Sequence, residues 1–351
     1  MKTSDKERII YIDFIRILAC LLVIGVHVSG SQLYVYSPKS FDYQVSQSVD
    51  TFCIAAPALF FMISGALFLN PDSKDISIKK LWGRYILRMA VSYFFWAFFY
   101  IFIFGLSNFT FSFETVKAYI REFFNGVIFH LWFIPAIIAI YMVLPFLKPA
   151  FADKKRCRYY LLLFMVIQII IPTVLKFDIP HVNLMWVLYS RIPYLLCISN
   201  VGYFVLGYFL SAEDFNRKSR TVIYALAILS FIAAVGIDGY LSVRQNSVVM
   251  LFNDLFALNS FLIASAVFVA FRYIPWKTNK ITKAASKLSR LTFGIYLIHP
   301  LFMYRIFDYC AFLLKLPAIL WIPVIAAATF LCGAIFTWII SKIPVANKYL
   351  I

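Results

Sequence analysis

Acidic residues are scarce in this chain: 16 Asp and Glu among 351 residues, against 33 Lys and Arg. Charged residues of both signs make up only 14%, and hydrophobic residues 63%. A soluble domain carries about 25% charge and about 45–50% apolar residues, so this composition excludes an ordinary water-soluble fold. Histidine occurs four times, too dispersed along the chain to mark a metal site. The six cysteines (Cys20, Cys53, Cys157, Cys197, Cys310 and Cys332) form no Cys-x-x-Cys pair and no metal-ligand spacing. Most sit in apolar stretches and read as small core residues. There is no Ser/Gly linker, no low-complexity tract and no extramembrane stretch long enough for a second domain. Residues 1–351 therefore read as a single integral membrane domain. No internal repeat is visible, which disfavours the inverted-repeat transporter folds.

Long apolar runs are abundant, and they define the fold class: all-α, a polytopic membrane helical bundle. Ten spans are expected, near 9–30, 51–69, 85–105, 127–147, 159–176, 192–210, 221–240, 254–271, 291–310 and 319–340. The first carries Asp13 and Arg16 and has no small-residue cleavage site after it, so it is expected to stay as a helix of the mature protein. The net charge of +17 reflects topology more than a nucleic-acid partner. Most basic residues fall in alternate connecting segments (Lys74 to Arg84, Lys148 to Arg158, Arg217 to Arg220, Arg272 to Arg290) and near both ends. By the positive-inside rule those segments and both termini are cytoplasmic. Part of that charge can also attract a polyanionic cytoplasmic ligand. The longest outer segments are expected at 31–50 and 106–126, the second with a short interfacial amphipathic helix over 111–124.

Ionisable groups inside a bilayer are functional candidates by default. Arg16 and His27 lie in the first span, eleven residues apart. Eleven steps of about 100° put them within about 20° of one another, and about 16 Å apart along the axis. Asp13 is one turn before Arg16. A cation near one leaflet and an imidazole near the other, facing one cavity, point to chemistry that crosses the membrane. A buried Asp13–Arg16 ion pair with a hydrogen-bonded core histidine is the bland alternative. In the second span, Ser64 and Gly65 suit close helix approach. Arg84 and Arg88, one turn apart with Lys79 and Lys80 upstream, form a basic face at the cytoplasmic mouth of span three. Arginine forks bind phosphates well, and long basic side chains also snorkel to lipid headgroups. His130, beside Trp132 and on one face with Tyr141, falls at a depth like that of His27. Ser289, Thr292, Tyr296 and His299 recur at three- and four-residue steps as a polar stripe, and Pro300 frees a carbonyl near His299.

These motifs, in this order, resemble the membrane acyltransferase family 3. Asp-x-x-Arg and the following His fall on Asp13, Arg16 and His27. Phe-Phe-x-x-Ser-Gly falls on Phe60, Phe61, Ser64 and Gly65. His-x-Trp-Phe falls on His130, Trp132 and Phe133, and Tyr-Leu-x-His-Pro on Tyr296 to Pro300. Tyr85 stands where many members have a second arginine. Pro57-Ala-Leu precedes Phe60, where many have Val-Asp; this is similar to the surface-polysaccharide branch that includes enterobacterial common antigen O-acetyltransferase. The resemblance implies an enzyme of the bacterial cytoplasmic membrane. It would move an acyl group, foremost acetyl from acetyl-CoA, to a hydroxyl of a surface glycan or its undecaprenyl-linked precursor. The catalytic set would be His27, Arg16 and His130. Arg84, Arg88 and Lys80 would hold the donor's phosphates. Asp13, Ser64, Trp132, Tyr141, Tyr296 and His299 would support them, with membrane lipid around the bundle and no metal. A transporter of a small solute or lipid-linked glycan is the alternative that shares the polar pore.

Overall fold

The structure is a computed structural model that describes residues 9–71, 75–105, 117, 121, 129–177, 182–190 and 199–351. The described residues are helical with no strand. Helix α1 (Ile10–Gly30) is followed by α2 (Phe41–Cys53), α3 (Ala56–Phe68), α4 (Leu87–Gly105), α5 (Phe133–Phe151), α6 (Lys154–Leu163) and α7 (Ser199–Ala212). Then come α8 (Arg217–Gln245), α9 (Leu258–Tyr273), α10 (Lys280–Ser289), α11 (Thr292–Tyr309), α12 (Ala318–Ile340) and α13 (Pro344–Tyr349).

Among the described residues, seven helices are long and apolar enough to cross a membrane: Ile10–Gly30, Phe41–Phe68, Ile78–Ile103, His130–Phe151, Lys154–Val174, Arg217–Gln245 and Ala318–Ile340. The runs expected at 254–271 and 291–310 form α9, which is short, and α11, whose hydropathy is lowered by Arg305 and Asp308 as well as by His299. The interfacial helix expected over 111–124 lies outside the described residues, apart from Lys117 and Arg121. Where an outer loop is expected over 31–50, the structure has α2. Its buried face is polar (Ser46, Gln47, Asp50, Thr51), so no apolar stripe announces it.

Helix α1 is the hub, packing against α2, α3, α9, α10, α11 and α12. Its central position buries 61% of the span, against 22% for α8 at the periphery. Facing outward, α4 shows Phe94, Phe98 and Phe102, and α12 shows Leu331, Ile335 and Trp338. Rows of large exposed apolar residues at three- and four-residue steps are surfaces for lipid. Helices α3 and α7 make the closest backbone contact. A Cβ added at Gly65 would stand 1.6 Å from the Phe204 carbonyl oxygen, and one at Gly207 2.0 Å from that of Met62. The expected close approach at Ser64–Gly65 is therefore the work of Gly65.

Candidate functional site

Beside the N-terminal half of α1 lies a cavity of about 520 Å³, labelled inner after the expected topology. Its polar lining comes from Arg16 of α1, Ser64 of α3, Tyr85 and Arg88 before and within α4, Tyr141 of α5, and Ser289, Arg290 and Tyr296 from the α10–α11 region. Asp13 and Arg16 form the expected ion pair, at 3.9 Å between Arg16 Nη1 and Asp13 Oδ1. Ser286 and Ser289 donate to the two Asp13 oxygens at 2.6 and 2.8 Å. Arg16 in turn donates to Ser289 Oγ at 3.3 Å, so Ser289 stands between the carboxylate and the guanidinium. The buried carboxylate thus ties α10 to α1 and braces Arg16 through a hydroxyl.

Beside the C-terminal half of α1 is a cavity of about 100 Å³, labelled outer in the same way and lined by His27, His130, Trp132 and Pro57 among others. Phe60, Phe133 and Tyr296 line both cavities. Arg16 and His27 share the expected stripe of α1, yet face two chambers separated by a thin aromatic septum, rather than one. The Tyr296 hydroxyl, part of that septum, donates to the His130 backbone carbonyl.

Three imidazoles gather beside the outer chamber. The His27 and His299 rings stack with centroids 5.2 Å apart, and His130 meets His299 edge-on at 5.3 Å. Pro300 explains how His299 is held. Proline has no N–H, so the carbonyl four residues back, that of Tyr296, loses its helical donor. His299 Nδ1 takes that position at 2.6 Å. A carbonyl only accepts, so Nδ1 carries the proton and the buried Nε2 keeps its lone pair. That Nε2 has no protein hydrogen-bond partner.

The sequence-expected residues divide cleanly. Arg16, Ser64, Arg88 and Tyr141 meet at the inner cavity; His27, His130 and Trp132 meet at the outer one; Tyr296 touches both; Asp13 and His299 stand behind them. Lys80 and Arg84 are exposed and line neither cavity. Leu81–Ile86 forms a π-helical turn ahead of α4. Arg84 stands one turn before Arg88, nearer the end of the helix, and is exposed where Arg88 is half-buried. The polar stripe is also interrupted: α10 ends at Ser289 and α11 begins at Thr292, though Ser289, Thr292, Tyr296 and His299 are all buried. Sequence reasoning missed Arg290 at the inner cavity, since a basic residue between spans reads as a topology signal.

Two chambers inside an all-helical, multi-pass bundle, one lined by cations and the other by imidazoles, define a membrane protein built for polar chemistry within its core. The family model for an acyltransferase domain matches residues 9–338, and the chain belongs to the acyltransferase-3 family. No curated protein and no solved structure matches it. The chain is a membrane acyltransferase.

Proposed function

We propose that this acyltransferase moves acetyl from cytoplasmic acetyl-CoA to a hydroxyl of a surface polysaccharide or its undecaprenyl-linked precursor. In this reading the chain crosses the bacterial cytoplasmic membrane ten times with both termini inside. α7, α9 and α11 supply the three crossings beyond the seven longest helices. The observation that carries the proposal is the pair of chambers meeting at Phe60, Phe133 and Tyr296. Arg16 and Arg88 make the inner chamber fit an anionic donor. The outer chamber offers imidazole to an acceptor alcohol.

His27 is assigned as general base, because neutral imidazole removes a proton efficiently near neutral pH. It takes the acceptor hydroxyl proton as that oxygen attacks the thioester carbonyl. The carbonyl oxygen becomes an oxyanion, and collapse of the tetrahedral intermediate breaks the C–S bond. The proton held by His27 then returns to the departing thiolate. Arg16 supplies positive charge to the donor side of the low-dielectric core, where such charge is worth most. His130 orients the acceptor, with its backbone held by Tyr296. Asp13, through Ser289, keeps Arg16 in place. Lys80 and Arg84 serve as an outer basic fringe that draws the donor to the mouth, while Arg88 contacts it.

The test is transfer of label. Purified protein in nanodiscs is incubated with radiolabelled acetyl-CoA, with and without membrane glycan extract. Label reaching glycan supports the reading. Label remaining on protein without acceptor replaces direct attack with an acyl-histidine relay. Solute flux without any transfer of label from the donor contradicts it.

A further inference from the structure

Phe133 is the centre of the septum between the chambers. It is the first residue of α5 and directly follows the 3₁₀ turn Phe129–Trp132, which carries His130. Its ring packs on that of Phe61, with centroids 4.7 Å apart, and meets Phe60 at 5.7 Å and Tyr296 at 6.1 Å. Phe61 is fully buried, so Phe133 has a fixed backing. Phe60, Phe133 and Tyr296 each line both chambers, so the junction of the chambers lies among these three rings. Tyr296 is tied to the His130 backbone. Phe60 belongs to α3, which is locked against α7 at Gly65. Phe133 is therefore the ring whose size can be changed with least disturbance.

The chambers differ in size, about 520 Å³ on the Arg16 side and about 100 Å³ on the His27 side. In the proposed reaction an oxygen activated at His27 bonds the thioester carbonyl carbon. The C–S bond breaks, and the hydroxyl proton ends on the CoA sulfur. The acyl substituent and the hydroxyl-bearing carbon of the acceptor must then share the smaller chamber. A methylene takes about as much room as a water, whose share is about 30 Å³, so about three such units fill it. An acetyl methyl and an alcohol carbon with its oxygen use that space up. Longer chains must displace the rings, and close-packed walls resist overfilling. We infer that Phe133, backed by Phe61 and flanked by Phe60 and Tyr296, is an acyl-length gate. It passes acetyl and excludes acyl chains of four carbons or more. The inference rests on the acyl-transfer reading of the two chambers.

The test offers the full chain in nanodiscs acetyl-, propionyl-, butyryl- or hexanoyl-CoA at equal concentration, with membrane glycan extract. Mass spectrometry reads the ester formed, and the ratio of butyryl to acetyl product is taken within each protein. One methylene too many in a fitted pocket costs about tenfold or more, so wild type should favour acetyl over butyryl by about 100-fold or more. Phe133→Leu shortens the ring and should raise the butyryl-to-acetyl ratio about tenfold or more. Phe133→Trp should lower propionyl transfer relative to acetyl. Phe146→Leu, at an exposed position of α5, should leave the ratio as in wild type. Thermal transitions show which variants fold, and Phe60→Leu, expected to shift the ratio the same way, stands in if Phe133→Leu does not. Butyryl transfer by wild type within about threefold of acetyl overturns the gate and leaves the acyl-transfer reading standing. A wild-type ratio in a folded Phe133→Leu or Phe60→Leu protein overturns it as well. No ester from any of the four donors refutes the acyl-transfer reading, and the gate falls with it.

Discussion

Gly65→Ala should be among the most damaging single-methyl changes in this protein, and the structure says why. The new Cβ would lie 1.6 Å from the Phe204 oxygen and 2.5 Å from the Phe204 carbonyl carbon. A close carbon–oxygen contact begins at about 3.3 Å, so one backbone must retreat by about 1.7 Å. The obstacle is main chain inside a helix, not the end of a flexible side chain, so no rotamer change relieves it. Parting α3 from α7 also opens the reciprocal contact at Gly207 and loosens Leu59, Met62 and Phe204, all fully buried. Overpacking typically costs about 1–3 kcal/mol, and a backbone obstacle puts this one at about 3 or above. Gly236→Ala is the control. Nothing lies within 4 Å of its added Cβ in α8, so the same methyl should stabilise by about 0.5–1 kcal/mol through helix propensity. Thermal unfolding in nanodiscs reads both: the midpoint should fall by several degrees in the first variant and rise slightly in the second. Shifts of the same sign, or a neutral Gly65→Ala, would refute the close α3–α7 packing.

Other perturbations separate the roles of neighbouring residues. Asp13→Ala leaves Ser286 and Ser289 without their shared acceptor and should destabilise by about 2–4 kcal/mol, read as lowered thermal stability. Arg84→Ala should change donor affinity less than about threefold, whereas Arg88→Ala should weaken it about tenfold or more, because only Arg88 lines the cavities. Titration of CoA binding distinguishes them, and equal losses would contradict the assignment of Arg88, and not Arg84, to the cavity lining. Glu213 lies next to Lys154 at 3.1 Å and Arg158 at 3.3 Å, and those cations, Lys154 first, hold its carboxyl below the usual carboxylate range. A lowered folded-state value contributes stability above the ordinary carboxylate range that disappears as pH falls through the lowered value. The attachment of α6 should therefore loosen on acidification, and Glu213→Gln should flatten that pH dependence in thermal scans from pH 7 downward.

The membrane class was legible from composition, and the ionisable residues of α1 marked it as a candidate for function; its role as the packing hub was not legible. Helix period put Arg16 and His27 on one stripe and depth put His130 level with His27, but the stripe faces two chambers where one cavity was expected. The freed carbonyl before Pro300 was legible too, since it follows from the missing N–H. Three features were not. Helix α2 buries polar residues and so carries no hydrophobic signature. The exposure of Lys80 and Arg84 outside the cavities depends on how the segment before α4 meets the bundle, which spacing along one helix does not encode. The aromatic septum joins residues of α3, α5 and α11, and no local pattern encodes a meeting of three distant segments. Arg290 was hidden in a different way: near a helix end, a cation that marks topology and a cation that lines a cavity look the same.

The most direct measurement is acetyl transfer by His27→Gln beside wild type, from labelled acetyl-CoA to membrane glycan, with folding of the variant shown by its thermal transition. Gln preserves size and hydrogen bonding but cannot serve as a base near neutral pH. Loss of transfer by about 100-fold or more, with CoA binding retained, is the predicted result. Transfer within about threefold of wild type would remove His27 from the proton-transfer step and contradict the assignment of the outer chamber as the place of chemistry.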